Sequence, residues 1–488
     1  MKKNIFYLVA ISAMLITGCR KIEMDGEPII INQPGTGGGG TGQTITLSGR
    51  INTDTTFRKA NTYILKGLVY IVGNHTLTIE PGTVIKGSFS GADVAALIIT
   101  RGSKIVAPGT ATEPIIFTSA APNPQSGDWG GIVICGKASI NTSYNGTNGL
   151  YQVEGGIDNA NGDGLAGSGD GTPATTPNDD DNSGVLKYVR IEYAGYAYQP
   201  DKEINSLTMA AVGRGTTIDH VQVVYAKDDA YEWFGGTVNC KYLIAYKTQD
   251  DDFDTDNGYS GKVQFGLAIR DSVIADISNS ETFESDNNAS GTTASPKTSA
   301  IFSNITSIGP RATTANIGSS LFRGAAHIRR NTAMSLYNSI ILGWPRGVEI
   351  DASTGTSTAL NIEDSSLRLR NITIAGCATN TRFSGTAGAT ITNDAAFTTW
   401  FTNPYYNNDL LANTSDAKLI QPFNYQAPDP TPFAGTNGNQ KILSGANFLD
   451  AKFASDAFFD KTVTFRGAVA PAGDLASWWK GWTKWNYN

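Results

Sequence analysis

Short apolar runs follow one another along most of this chain, each ended by glycine, Pro-Gly or asparagine. Their spacing of roughly ten residues predicts short strands joined by turns. The runs lack the Asn-Gly junctions of antiparallel hairpins, and similar strings recur at coil-like spacing. We therefore predict an all-β fold in which residues 44–488 form a parallel β-helix, a solenoid whose coils depend on their neighbours. The clearest runs lie at 77–87, 97–110, 114–119, 186–194, 218–225, 240–246, 272–277, 300–308, 335–342 and 366–375.

Residues 228–288 carry one acidic pattern three times. The copies are Asp-Asp-Ala-Tyr-Glu at 228–232, Asp-Asp-Asp-Phe-Asp at 250–254 and Ser-Glu-Thr-Phe-Glu at 280–284. Their starts lie 22 and 30 residues apart, which is in the range of stacked repeats. An apolar run precedes each copy, at 221–225, 242–246 and 273–277, so each repeat is predicted to be a strand, a turn and an acidic corner.

If the copies are successive coils, their carboxylates form two columns. The predicted columns are Glu232, Asp254, Glu284 and Asp229, Asp251, Glu281. Neighbouring strands lie about 4.8 Å apart. Ionised carboxylates at that distance repel one another unless a cation binds or their pKa values rise.

Composition and charge exclude several classes of partner. The chain has 488 residues, of which 54 are glycine and only 17% are charged, as expected for an all-β protein with many turns. Its net charge is −7, and beyond the N-terminus it has no run rich in lysine or arginine. Nucleic acid is therefore not an expected partner, and neither is an anionic membrane surface.

The N-terminus predicts export and anchoring. Residues 1–18 have the charged and apolar regions of a signal peptide. Residues 16–19, Ile-Thr-Gly-Cys, resemble the bacterial lipobox. That resemblance implies that Cys19 is acylated, that residues 19–43 are a Gly-rich tether, and that the protein is an outer-membrane, surface-exposed lipoprotein. The alternative is an ordinary signal peptide or an uncleaved anchor.

The remaining cysteines and the histidines suggest no site. Cys135, Cys240 and Cys377 are odd in number and more than 100 residues apart, so we predict buried free thiols. The three histidines lie far apart and form no metal or triad motif, and a core or surface role is expected for each. The chain also lacks the motifs of P-loop, α/β-hydrolase and zinc-protease sites.

Strings near both ends of the chain resemble a known group of proteins. Residues 77–87 (LTIEPGTVIKG), the string LIITRGSKIVAPGTATEPIIFTS and the C-terminal string TFRGAVAPAGDLASWWKGWTKWNYN look like those of secreted β-helix proteins common in Bacteroidota. The resemblance covers most of residues 44–488 and implies a right-handed, single-stranded parallel β-helix. It says little about function, because a fold does not determine a site.

Three segments interrupt the predicted coils. Residues 155–184 are an Asp/Gly/Asn-rich insertion, read either as a solvated loop or as a calcium-ordered one. Residues 395–445 are predicted to be an irregular excursion. Residues 446–488 are predicted to be an aromatic cap over the open end of the solenoid, with a sugar-binding platform as the alternative. The tryptophans of this cap are Trp478, Trp479, Trp482 and Trp485.

The acidic string at 250–254 is similar to the calcium site of family 9 polysaccharide lyases. That resemblance implies that Asp250, Asp251 and Asp254 are calcium ligands, with Asp229 or Asp228 from the preceding coil. Asp252 replaces the glycine of the family pattern, which puts the local turn in doubt. For a lyase, the resemblance further implies a lysine base on a later coil, for which Lys262 is the nearest candidate, and arginines facing a uronate carboxylate. The candidate arginines are Arg270, Arg323 and Arg329.

Three functions therefore stay open at this stage. The leading hypothesis is a lipoprotein that binds polysaccharide, with Ca²⁺ on the acidic columns and Tyr231, Trp233 and Tyr259 as exposed aromatic contacts. The second is a calcium-dependent polysaccharide lyase. The third is a structural or adhesion protein of the cell surface in which the acidic residues hold a structural ion.

Overall fold

The chain folds as a right-handed parallel β-helix, which confirms the predicted fold. A computed structural model describes residues 31–34, 42–169, 176–199 and 202–487. The signal peptide, Cys19 and most of the tether lie outside the described residues, and so does Asp170 of the insertion. Each coil runs through three parallel sheets, called sheets 1, 2 and 3, and several strands bend from one sheet into the next.

The strands are grouped by sheet. Sheet 1 contains Thr55–Phe57, Thr76–Ile79, Lys104–Pro108, the first halves of Gly184–Glu192, Thr217–Val224, Asn239–Tyr246, Lys262–Ile269 and Ile301–Ile308, then Ser335–Tyr337 and Leu369–Arg370. Sheet 2 contains the first halves of Gln43–Ile51 and Thr62–Ile71, then Val84–Gly87, Ile115–Ser119, the second halves of the five long strands of sheet 1, Ile340–Leu342, Thr373–Ala375 and Asp409–Leu411. Sheet 3 contains the second halves of Gln43–Ile51 and Thr62–Ile71, then Ala96–Ile99, Gly131–Cys135, Leu207–Ala210, Tyr231–Phe234, Phe253–Asp256, Ser280–Ser285, Phe322–Ile328, Arg346–Ala352 and Thr379–Gly385.

The other elements are short. Antiparallel pairings join Ile31–Pro34 to Gln43–Ile51, Ser143–Tyr144 to Thr147–Asn148, Leu150–Gln152 to Leu165–Gly167, Ala197–Gln199 to Lys202–Glu203, and Leu419–Gln421 to Asp429–Pro432. The α-helices are Ala359–Glu363, Asp394–Phe401 and Gln440–Ser444. The 3-10 turns are Gly91–Asp93, Pro404–Tyr406, Thr414–Ala417, Gly435–Asn437, Ala451–Phe453 and Asp474–Ala476. Within the described chain, no helix is long and apolar enough to span a membrane.

A single residue in the left-handed region bends the chain sharply between sheets 1 and 2 in successive coils. These residues have φ between 48° and 65° and are Tyr188, His220, Tyr242, Phe265, Asn304, Asn338 and Asn371. Asparagine tolerates this conformation. The four residues with aromatic or imidazole rings stack their rings on one another. Centroid distances are 4.3 Å from Tyr188 to His220, 4.3 Å from His220 to Tyr242 and 5.1 Å from Tyr242 to Phe265. The same sharp bend therefore recurs in successive coils.

The third apolar run of the acidic repeats was misplaced. Residues 273–277 form no strand, and Val273 and Ile277 are 75% and 86% exposed. The strand that precedes the third acidic corner is Lys262–Ile269, and residues 271–279 loop out between it and sheet 3. The loop of residues 271–279 increases the spacing between the second and third acidic corners to 30 residues. The apolar run just before the third corner therefore belongs to this loop and not to a strand.

The C-terminal segment lies along the side of the solenoid, so the prediction of an end cap by its tryptophans was wrong. The outer face of sheet 2 is apolar, and Trp478, Trp479 and Trp482 pack against it. Gln222 exchanges two hydrogen bonds with the backbone of Lys484, at 3.0 Å each. A segment that covers one face removes more apolar surface from water than one that covers one coil.

The helix Asp394–Phe401 covers the last coils instead, and it falls in the stretch predicted to be irregular. Phe397 and Phe401 are buried in the same core cluster as the solenoid interior. Asn393 caps the helix by accepting a hydrogen bond from the N–H of Ala396, the contact expected of an N-cap asparagine.

The insertion packs on sheet 3 of the early coils. Val153, Ile157 and Ala166 are buried against the outward side chains of Tyr70 and Val133. Its acids are used internally: Asp163 pairs with Arg50 at 2.8 Å, and Asp179 and Asp181 accept backbone N–H groups of Ser139 and Lys137. The described part of the segment is thus packed on sheet 3 over residues 157–167 and exposed at 176–178, 180 and 182, and it contains no group of acids able to hold a cation.

Replacing Trp482 tests the side packing. Trp482 is fully buried, and its indole N–H donates to Trp478 O at 2.7 Å. We expect Trp482→Ala to lower the free energy of unfolding by about 3–5 kcal/mol, measured by chemical denaturation. Leu449→Ala, at a site 91% exposed, is the control and should change it by less than about 0.5 kcal/mol. Equal stability of the two variants would contradict the packing.

Candidate functional site: a carboxylate ladder on sheet 3

The two predicted columns of carboxylates are confirmed. In sheet 3, Glu232 pairs in register with Asp254, and Asp254 with Glu284. In the turn before the strands, Asp229 accepts the N–H of Asp251 at 2.8 Å, and Asp251 accepts the N–H of Glu281 at 2.5 Å. Asp229 and Asp251 thus each bind the backbone of the next coil at its acidic corner.

The same outward column changes character along the solenoid. It begins with Tyr70, Ile98 and Val133, which the insertion covers. It continues through Thr208 to Glu232, and beyond Glu284 it reaches His327 and Glu349. We call the carboxylates from the second half of this face, with those of the adjoining turns, the acidic ladder. Its members are Asp228, Asp229, Glu232, Asp250, Asp251, Asp254, Asp256, Glu281, Glu284, Asp286, Glu349 and Asp351.

The predicted aromatic contacts lie inside the solenoid and cannot stack on a sugar. Tyr231, Trp233 and Tyr259 are fully buried, because residues next to each other on a strand face opposite sides. The Tyr231 hydroxyl lies 2.7 Å from Val221 O, and the Tyr259 hydroxyl donates to Val238 O at 2.9 Å. Their role is to fill the interior, and assigning them to a ligand was wrong.

Arg270 is also interior, which corrects its assignment to a uronate. It and Asp252 are both fully buried, and Arg270 Nε lies 3.0 Å from Asp252 Oδ2. The guanidinium also donates to Thr248 O at 2.7 Å. Burial raises the pKa of Asp252 to about 6, against the opposing effect of Arg270. Asp252 stands where the family pattern has glycine because its side chain turns inward to this arginine.

The structure does not bring the predicted base to the ladder. Lys262 begins a sheet 1 strand, and its ammonium contacts Asp456 of the C-terminal segment. Sheet 1 is a different face of the solenoid from sheet 3. Lys262 therefore does not fill the role of a base acting on a ligand at the ladder.

One end of the ladder is neutralised by cationic side chains. Arg329 contacts Glu284 and lies 2.8 Å from Asp286, and Arg330 lies 2.7 Å from Asp286. Further along, Arg323 Nε lies 3.0 Å from Glu349. We call this the paired end.

His327 lies at the centre of the paired end. Its Nδ1 is 3.3 Å from Glu281 and its Nε2 is 3.1 Å from Asp351. Burial lowers its pKa, but the two carboxylates outweigh burial and raise the pKa above the usual value. The same contact holds the pKa of Glu281 below its usual range despite burial. The charges at this end thus balance without any added ion.

The other end has no such partners, and we call it the anionic end. Among the described side chains, no lysine, arginine or histidine lies within ion-pair distance of its six carboxylates. They belong to Asp228, Asp229, Glu232, Asp250, Asp251 and Asp254. Burial, with repulsion from neighbouring carboxylates, raises the pKa of each, that of Asp250 to about 8.

Two polar oxygens at the anionic end lack a partner. Asp254 Oδ1 is buried without a hydrogen bond from any described residue, and so is the Tyr151 hydroxyl. Tyr151 lies just before the insertion, and its ring packs at 4.8 Å on Phe234, which is in the same strand as Glu232. Burial raises the pKa of the Tyr151 hydroxyl, and the carboxylates of Glu154 and Glu232 raise it further. A buried oxygen without a partner costs free energy unless water or an ion occupies the space beside it.

The anionic end has the donor set of a hard cation. Two groups within the anionic end each have one oxygen per residue within 4.8 Å of the others: Asp228, Asp229, Asp250 and Asp229, Glu232, Asp254. A third group, Asp251, Asp254, Glu284, adds a carboxylate that Arg329 contacts. Two further groups lie around His327 at the paired end, where arginines already neutralise the carboxylates. Two oxygens bound to one calcium at 2.3–2.6 Å lie no more than about 5 Å apart, so each group fits one ion. All four predicted ligands, Asp229, Asp250, Asp251 and Asp254, belong to these groups. At an effective dielectric constant of about 20, two unit charges 4.8 Å apart repel by about 3.5 kcal/mol, a cost that a bound cation relieves.

Fold and ladder together define a right-handed parallel β-helix with an acidic outer face. A family model described as a pectate-lyase-like β-helix domain matches residues 49–413, which is 365 of 488 residues. The chain therefore belongs to this family, and such a domain is compatible with polysaccharide binding or a lyase-like function. No curated protein and no solved structure matches the chain.

Sequence reasoning named Arg323 and Arg329 as arginines facing a uronate but missed that they pair with carboxylates of the ladder itself. His327 was expected to have only a core or surface role, and Glu349 and Asp351 were not linked to the acidic repeats. A signal existed, because His327 and Glu349 are 22 residues apart, as are Glu232 and Asp254. This spacing was not recognised because the coils that contain His327 and Glu349 carry histidine and arginine where the earlier coils have the acidic-aromatic motif.

Arg270 gives a test of its interior role. We expect Arg270→Met to lower the free energy of unfolding by about 3–5 kcal/mol, because Asp252 is left as a buried charge without a partner. The double variant Arg270→Met, Asp252→Leu should recover most of that loss in the same denaturation experiment. A single variant as stable as the wild type would show that the pair is not buried together.

Stability against pH tests the repulsion in the anionic end. In chelator, the raised pKa values mean that the folded state binds more protons than the unfolded state between about pH 4 and pH 8. The contribution of these carboxylates to stability is thus largest at the low end of this range, and the melting temperature should fall by several degrees from pH 5 to pH 8. Asp251→Asn with Asp254→Asn should flatten this fall. A melting temperature that rises over this range in chelator would contradict the account.

Proposed function

We propose that this protein binds an acidic polysaccharide on the outer face of sheet 3, through Ca²⁺ held at the anionic end of the ladder. The observation that carries the proposal is the contrast between the two ends. One end is neutralised by Arg323, His327, Arg329 and Arg330, whereas the other has six carboxylates and no described cationic partner.

The donor set favours Ca²⁺ over other metals. All the available donors are carboxylate oxygens, which suit a hard cation, and calcium accepts irregular groups of six to eight oxygens. A group of three carboxylates fills only part of that number. Oxygens of a bound ligand would supply further positions, and a uronate has both a carboxylate and hydroxyls to offer. Without the ion, an acidic ligand would be repelled from this face.

The ladder lies between two walls that would guide an extended chain. On one side is the insertion, just after Tyr151, which packs on Phe234. On the other is the loop of residues 271–279, where Ser278 donates to Asp250 at 2.7 Å. A long parallel sheet between two walls suits a polymer better than a small ligand, in keeping with the family to which the chain belongs.

We place the protein at the outer membrane, anchored through acylated Cys19 and exposed on the cell surface. The lipobox-like residues 16–19 and the Gly-rich stretch after them support this placement. A tether of that composition would let the β-helix reach ligands away from the lipid. Labelled fatty acid incorporated by the wild type and not by Cys19→Ala would test the anchor.

Binding is favoured over cleavage by the position of the predicted base. A lyase needs a base beside the proton that it removes, and Lys262 is held by Asp456 on another face. The arginines and the histidine of the paired end are engaged in ion pairs. Lyase activity would therefore require a base other than Lys262.

The test is equilibrium binding to polygalacturonate and to alginate, each with millimolar Ca²⁺ and with chelator. We expect binding in Ca²⁺, loss in chelator, and at least tenfold weaker binding by Asp251→Asn with Asp254→Asn. The matched control, Asp93→Asn with Asp180→Asn, removes two exposed carboxylates that pair with Lys66 and Arg214. It should bind like the wild type.

Other outcomes of that test decide between the functions. Calcium that raises the melting temperature without any binding of polysaccharide would overturn the proposal in favour of a structural ion site. Ultraviolet absorbance of unsaturated uronate products would instead make the protein a lyase. Binding that chelator leaves unchanged would show that the ladder does not act through a cation.

A further inference from the structure

A separate cavity of about 430 Å³ lies where the chain passes from sheet 2 towards sheet 3. It is bounded by the turn at 124–126 and by the loop that follows Ile269. The residues that line it include Gln125, Tyr193, Tyr225, Gln249, Ile274 and Tyr487. Its volume is in the range of small-ligand pockets.

Three tyrosines make one corner of the cavity rigid. Tyr193 and Tyr225 end the sheet 2 strands of successive coils at φ of 62° and 54°, and their rings stack at 5.6 Å with an interplanar angle of 6°. The ring of Tyr487 lies edge-on to both, at 5.9 Å and 5.8 Å. It is held there by a hydrogen bond of 2.9 Å from its hydroxyl to Glu192. The C-terminal segment thus completes the cavity.

The lining of the cavity is polar but uncharged. Among the residues that the structure describes, no Asp, Glu, Lys or Arg lines it, in contrast to the ladder beside it. The glutamine amides offer donors and acceptors, and the tyrosine rings and Ile274 offer apolar surface. A pyranose ring has the matching chemistry, with C–H bonds on its faces and hydroxyls around its rim.

The cavity adjoins the anionic end of the ladder. Gln249 lines it and immediately precedes Asp250, a predicted calcium ligand. The Gln249 amide lies 3.3 Å from Asp276, which with Asp250 contacts the hydroxyl of Ser278. A polymer lying on the ladder could therefore place a neighbouring sugar in the cavity.

We propose that this cavity is a subsite for a neutral sugar ring. The inference deepens the proposed function and rests on it, because it makes the ligand a polysaccharide in which neutral sugars accompany acidic ones. The ladder would hold the acidic units through Ca²⁺, and the tyrosine corner would select the neutral unit next to them.

The test uses neutral oligosaccharides in chelator, so that the ladder does not contribute. The probes are cello-, xylo-, manno- and galacto-oligosaccharides of two to four units, titrated into the wild-type protein by calorimetry. We expect saturable binding of at least one series with a Kd of about 1 mM. Absence of saturable binding across the series would overturn the proposal.

Variants locate the binding. Ser126→Trp places a large side chain into the cavity from a half-buried turn, and Tyr225→Ala removes one ring of the stack. Each should weaken binding at least tenfold while the melting temperature shows a folded protein. If Tyr225→Ala fails to fold, Ser126→Trp alone decides.

The control is Tyr405→Ala, which removes a tyrosine 78% exposed elsewhere and should leave binding unchanged. Loss of binding in this control, or none in Ser126→Trp, would place the sugar outside the cavity. Because this experiment uses neutral probes without Ca²⁺, its failure is distinct from failure of the calcium-dependent binding of acidic polymers.

Discussion

Parallel stacking at the strand spacing is the constraint on which the rest of this structure depends. Equivalent residues of successive coils come to lie about 4.8 Å apart, and side chains on one face form columns. An apolar column is favourable, as in the interior column of Tyr231, Phe253 and Phe283. A column of carboxylates is unfavourable, and the protein must compensate it on every coil where it occurs.

Two kinds of compensation occur on sheet 3. In the later coils, the column itself changes from Asp254 and Glu284 to His327, while arginines approach from the neighbouring turns. In the earlier coils no described cation lies within ion-pair distance, and a buried oxygen of Asp254 has no partner among the described residues. The same face is thus neutralised by cationic side chains at one end and lacks described cationic partners at the other. A purely structural ladder would have little reason for this asymmetry.

The fold and the carboxylate columns could be predicted from the sequence, because in stacked coils residues one repeat apart in sequence become neighbours in space. The repeats at 228–232 and 250–254 predicted both columns, and the register confirms them. Whether a side chain points inward or outward was harder to predict. Arg270 and Trp233 point into the solenoid, and the sequence alone did not show which residues of each strand face inward. Contacts over long sequence distances were beyond prediction. The C-terminal segment meets sheet 2 some 260 residues away, as in the bonds between Gln222 and Lys484 (262 residues apart).

Anomalous diffraction from crystals of the protein grown in Ca²⁺ tests the central claim most directly, because it locates the ion rather than its effects. We predict a peak within 2.3–2.6 Å of carboxylate oxygens at the anionic end, with Asp254 Oδ1 among the ligands. The paired end, around His327 and Arg329, should show none. A map without a peak at the anionic end, and with a water or a protein donor at Asp254 Oδ1, would contradict the account.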